Sequence, residues 1–129
     1  MELSNNNRCF VCGKENEWGM KLDFRLEENR LISYVVFDEK FQGFKDIIHG
    51  GIVGTVLDEM MVNLAIRLGL NAVTGEIRIR LRKPTLAGKT YKFEGEITNE
   101  RKKTIHAKAR SFDNEGNLIS EADGILIRV

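Results

Sequence analysis

Apolar residues recur every third or fourth position between Gly51 and Leu68, and every second position along most of the chain on either side. The first period predicts one amphipathic helix and the second predicts strands. Ahead of the helix, Lys21–Glu27 alternates with Leu22, Phe24 and Leu26 on one face, and Leu31–Phe37 is rich in β-forming residues. Glu28 and Asn29 between them predict a hairpin turn. Asp38–Ile48 reads as a loop, and Gly69 ends the helix as a C-terminal glycine does. After it, Val73–Arg82 sets Ile77, Ile79 and Leu81 against Arg78, Arg80 and Arg82, and Tyr91–Ile97 alternates in the same way. Pro84 and Gly88 punctuate the connection between them. Asn99–Lys102 reads as a polar turn, Thr104–Phe112 alternates more weakly, Asp113–Gly116 is a turn signal, and Leu118–Val129 is the last strand. The order β-β-α-β-β-β-β predicts an α+β fold in which a curved antiparallel sheet wraps one long central helix. Residues 1–18, rich in Asn, precede it as an irregular arm.

Projected at about 100° per residue, Val53, Leu57, Met60, Met61, Leu64 and Leu68 form one apolar stripe, the face expected to meet the sheet. A second stripe holds Gly51, Gly54, Thr55, Asp58, Val62 and Ala65, with Asp58 its only charge. Its small residues are expected to let another backbone approach. Glu59 lies a quarter-turn away with Ile52, Asn63 and Ile66. A carboxylate on a mostly apolar helix costs stability unless it is paired or used. Asp58 is therefore either exposed or a cap, or a general base or nucleophile in a partly dry cleft. At the helix start, His49-Gly50-Gly51 leaves backbone N–H groups free where the helix dipole is positive. Such a terminus can receive an oxyanion, with no side chain in the way.

Composition narrows the classes. The 129 residues suit a single domain over 1–129, 42% hydrophobic and 30% charged. A net charge of +1 supplies no field for a nucleic-acid backbone, so no nucleic-acid partner is expected. No apolar run approaches the roughly 20 residues of a bilayer span, and Met1–Asn7 is polar. A cytoplasmic protein without a membrane partner is the expectation. Cys9 and Cys12 stand in a C-x-x-C-G stretch, with only His49 and His106 as further soft ligands. A structural zinc needs four ligands. A loop role, a redox pair and a zinc shared between two chains stay open for these cysteines.

The segment Phe41-Gln-Gly-Phe-Lys-Asp-Ile-Ile-His-Gly-Gly-Ile-Val-Gly-Thr-Val-Leu-Asp-Glu-Met60 closely resembles the signature of hotdog-fold acyl-CoA thioesterases of the PaaI-like group. Cys9–Gly13, Thr74, and Arg82-Lys83-Pro84 with Gly88 add to the resemblance. It implies a hotdog fold and hydrolysis of an acyl-CoA thioester to free acid and coenzyme A. By that resemblance the Gly50 amide polarises the thioester carbonyl and His49 orients the thioester end. Asp58 is the catalytic carboxylate, and Thr74 positions the water. Many relatives carry Asn or Gln six residues before the histidine; this chain has Gly43 there, and Gln42, one residue earlier, is the candidate for that substrate contact. Arg82 and Lys83 are candidates for the nucleotide half of coenzyme A, and Gly51 and Val62 for lining the substrate site. No metal and no separate cofactor are implied. The resemblance implies self-association as a dimer or tetramer with active sites shared between chains. A non-catalytic acyl-CoA-binding or regulatory protein on the same fold is the alternative, because a fold does not dictate a function.

Overall fold

The helix predicted after His49 spans Gly50–Arg67 (α1) in the computed structural model, which describes residues 1–129. The strands are β1 (Arg25–Glu27), β2 (Arg30–Val36), β3 (Ala72–Leu81), β4 (Thr90–Glu100), β5 (Thr104–Phe112) and β6 (Leu118–Arg128). They form one antiparallel sheet in the order β1-β2-β4-β5-β6-β3. The α+β arrangement is as expected, one helix lying across the concave face of a curved sheet.

The alternation decides which side chains meet the helix. Leu31 and Val35 of β2, Tyr91 and Phe93 of β4, and Ala107 and Ala109 of β5 are buried together with Val53, Leu57, Met60, Met61 and Leu64 of α1. Phe37 and Phe93 meet edge to face, 6.0 Å between ring centres. Burying each large side chain contributes about 1.5–3 kcal/mol. Gly95 of β4 is needed for this seating, since a Cβ there would lie 2.5 Å from the Met60 carbonyl oxygen. The outer face carries charges that pair across the strands, Arg30 with Glu94 and Glu96, and Arg110 with Glu96. No helix is long and apolar enough to cross a membrane.

Two predicted boundaries move. The strand expected over Lys21–Glu27 is only Arg25–Glu27. Lys21 has φ 52°, which no strand accommodates, and the amides of Met20 and Leu22 bond to the carbonyls of Phe10 and Val11. Leu22 and Phe24 still pack against the core, but from an extension of the arm. The turn expected over Asn99–Lys102 starts later. A register shift between Ile97 and Asn99 carries β4 on to Glu100.

Candidate active site

Thr74 reaches the helix through an irregularity in β3. Ile77, Ile79 and Leu81 pair with Gly124, Ala122 and Ser120 of β6 and share the concave face. Strict alternation would therefore put Thr74 outward with Arg78 and Arg80. Instead the register shifts between Thr74 and Glu76, leaving Gly75 unpaired, and Thr74 lies opposite the buried Leu126. That bulge turns the threonine inward. Its hydroxyl donates to Asp58 Oδ1 at 2.5 Å. Both residues are half-buried. Asp58 Oδ2 has no hydrogen-bond partner within the chain.

The helix N-terminus forms the second part of the site. His49 is its N-cap, with Nδ1 accepting from the Gly51 amide at 3.0 Å. Nδ1 is thus the unprotonated nitrogen of the neutral ring, and Nε2–H remains available to donate. The Ile52 and Val53 amides bond to the His49 carbonyl, whereas the Gly50 amide has no acceptor. Gly50 and His49 line a cleft of about 560 Å³ with Val53, Leu81, Arg82 and Lys83. The loop before the helix is held over it by Ile48 N–H donating to Thr85 O and His49 N–H to Phe41 O. A cleft lined by apolar and cationic side chains thus contains a free amide at a positive helix end, which is where a carbonyl oxygen gaining charge is stabilised.

The predicted residues fall into groups. His49, Gly50, Arg82 and Lys83 share the cleft, and Asp58 and Thr74 form a pair further along the helix. Gly51 is exposed at the helix start, and its amide is used by the cap. Arg82 is ion-paired to Glu121, whereas Lys83 makes no ion pair and is the freer cation. Gln42 does not line the cleft. Its side chain accepts from the Asp46 amide at 3.0 Å and so braces its own loop. Val62 lines a different cavity, between the N-terminal arm and α1, together with Cys9, Cys12 and Glu59. Burial and the adjacent Glu59 carboxylate push the Cys12 thiol up.

The small-residue stripe needs correction. Ala65 is buried against Ala72, Ile105 and Leu126 of its own chain. A Cβ at Gly54 would meet Ile79 Cδ1 at 2.6 Å, and one at Gly50 would meet Leu81 Cδ1 at 2.7 Å. Gly54, and Gly50 beside the stripe, thus admit side chains of the same chain's β3. Two features were missed by sequence reasoning. Phe44 lines the cleft while 85% exposed, and its signal is an aromatic in a loop too polar to bury it. The Gly75 bulge was signalled only by a glycine inside a strand pattern.

No family model matches the chain, and no curated protein matches it. Solved structures do. A thioesterase superfamily protein superposes with a TM-score of 0.88 at 18% identity over 94% of this chain, and the match covers 60% of that protein. The E. coli PaaI protein from the phenylacetic acid degradation operon gives 0.79 at 17% identity, covering 85% of this chain and 80% of that one. A hypothetical thioesterase from Streptococcus pneumoniae TIGR4, solved with coenzyme A, gives 0.79 at 17% identity, covering 84% and 85%. That streptococcal protein was also solved with an aspartate and, separately, a threonine sixteen positions after it replaced by alanine. At these identities the likeness is one of fold. The chain shares the hotdog fold of these solved proteins, the PaaI protein among them.

Proposed function

We propose that this hotdog-fold chain hydrolyses an acyl-CoA thioester to the free acid and coenzyme A. The observation that carries the reading is the Thr74–Asp58 hydrogen bond, which leaves one carboxylate oxygen free beside a fixed hydroxyl. A water accepted by Oδ2 and donating its other hydrogen to Thr74 Oγ1 would be held with a lone pair directed outward. Asp58 takes the first proton as the water oxygen attacks the carbonyl carbon. The Gly50 amide receives the developing oxyanion. The C–S bond then breaks, the leaving thiolate takes the proton from Asp58, and the acid leaves. Direct attack by Asp58 would give a mixed anhydride that water opens, with the same products. Lys83, with Arg82 behind it, offers charge to the phosphates of coenzyme A.

One chain supplies the two halves too far apart. Gly50 and Asp58 are eight residues apart on α1, roughly 12 Å at ~1.5 Å per residue. A carbonyl polarised by Gly50 needs its attacking group within about 3–3.5 Å. Two antiparallel copies would bring Gly50 of one chain to Asp58 of the other, so the site is completed by self-association.

The test is thiol release from short-chain, long-chain and aryl acyl-CoAs. Wild-type protein should release coenzyme A from at least one class. Asp58→Asn, which still offers Oδ1 to Thr74, should keep the fold and lose about a hundredfold or more in kcat. Tight acyl-CoA binding with no thiol release from any class would overturn the reading in favour of a non-catalytic binder.

A further inference from the structure

The C-x-x-C-G stretch is absorbed by none of this chemistry, yet it is built with care. The Gly13 amide donates to the Cys9 carbonyl at 2.8 Å, and the Val11 amide to Cys9 Sγ at 3.4 Å. A Cβ at Gly13 would lie 2.3 Å from the Cys9 nitrogen, so only glycine closes this turn. The turn sets both sulfurs against the middle of α1. There the Cys9 and Cys12 sulfurs and a Glu59 carboxylate oxygen lie within 4.8 Å of one another, with Cys9 Sγ 3.7 Å from Oε1. For a tetrahedral zinc, with Zn–S of about 2.3 Å and Zn–O of about 2.0 Å, donor atoms stand about 3.5–3.8 Å apart.

The carboxylate is also oriented. Asn63 Nδ2 donates to Oε2 at 3.0 Å, and Arg67 Nε donates to Asn63 Oδ1 at 2.6 Å. This chain, one helical turn per step, turns Oε1 toward the sulfurs, as outer partners of a ligating carboxylate do. Glu59 makes no ion pair, although Arg8 and Arg67 line the same cavity and would offset a site of three anions around one dication; Lys14, also there, is paired with Asp23. A Cys9–Cys12 disulfide explains less. It would remove the thiol donors and leave Oε1 facing sulfur without a partner.

We propose that Cys9, Cys12 and Glu59 bind a thiophilic divalent cation of the zinc class, with a fourth position open to water or an exogenous donor, and so clip the N-terminal arm to the central helix. The sequence left only His49 and His106 as further soft ligands and did not mark Glu59, whereas the fold brings that glutamate to the two sulfurs. The proposal stands independently of the thioesterase reading.

The experiment is a Co²⁺ titration of reduced, chelator-treated protein, read by absorbance. Wild type should give a thiolate-to-cobalt charge-transfer band saturating at one equivalent per chain, and Zn²⁺ should displace it, because soft thiolate ligands select zinc. Cys9→Ser and Cys12→Ser should each weaken or lose the band. Glu59→Gln should keep a thiolate band with affinity lowered at least as much as the tenfold to hundredfold expected for Asn63→Ala. Circular dichroism of each variant checks folding, and the wild-type titration decides even where a cysteine variant misfolds. No charge-transfer band with reduced wild type, a band surviving in the folded double serine variant, or equal affinity in wild type and Glu59→Gln would each overturn the site.

Discussion

Thr74 matters through one hydrogen atom. Its hydroxyl fixes the Asp58 carboxylate at 2.5 Å, and its methyl group has no part in that bond. Thr74→Ser should therefore keep kcat within a few-fold. Thr74→Ala should lower it by about tenfold or more, the scale of a lost hydrogen bond to a charged group, with little change in KM. Steady-state kinetics of the two variants check this, and equal damage from both would mean that packing of the methyl group is what counts. Asp58 itself was legible in the sequence, because it is the only charge on its helix face. Its partner was less so. Thr74 was marked by resemblance to a family pattern, while the alternation around it points the other way. Gln42 shows the opposite case, a residue whose type suits a substrate contact but whose side chain braces the loop that bears it.

At the scale of elements, the seating of α1 rests on a residue that has no side chain. Gly95→Ala would drive a Cβ into the Met60 carbonyl, a rigid backbone group, and should cost about 1–3 kcal/mol, seen as a melting temperature several degrees lower. Gly54→Ala is the contrast. The atom it meets is the tip of the Ile79 side chain, which can rotate, and alanine favours the helix by roughly 1 kcal/mol over glycine. It should melt near wild type or above. Thermal unfolding of both variants checks the pair, and a Gly95→Ala protein as stable as wild type would remove this account of the packing. The helix and the four longest strands were legible from their apolar periods, β5 from the weakest of them. The arm and β1 were not. Leu22 and Phe24 do turn one face to the core, as their alternation says, but their backbone bonds go to residues far back in the arm, which no local pattern records. The bulge at Gly75 belongs to the same class, since a single unpaired residue reverses a face without disturbing the composition around it.

For the molecule as a whole, charge and apolar surface are divided. Paired charges cross the outer face of β2, β4 and β5, whereas Ile79 and Leu81, 38% and 50% exposed, stand on β3 at the sheet's open edge. A second copy meeting there would bring two helices and two half-sites together. Subunit mixing tests the arrangement. One chain carries His49→Ala, to disable the cleft half, and the other carries Asp58→Asn. Each homodimer should be nearly inactive. In a mixed dimer one site carries both defects and the other none, so equal mixing with full exchange should restore about a quarter of wild-type activity. Verified exchange without recovery would place both halves in one chain and contradict the helix spacing. The open edge of β3 has a thermodynamic consequence as well. Where an unpaired strand edge is covered by another copy of the same chain, unfolding also separates molecules, and the equilibrium obeys mass action. The midpoint of unfolding then rises with the logarithm of protein concentration, and a dilute solution holds a less durable fold than a concentrated one.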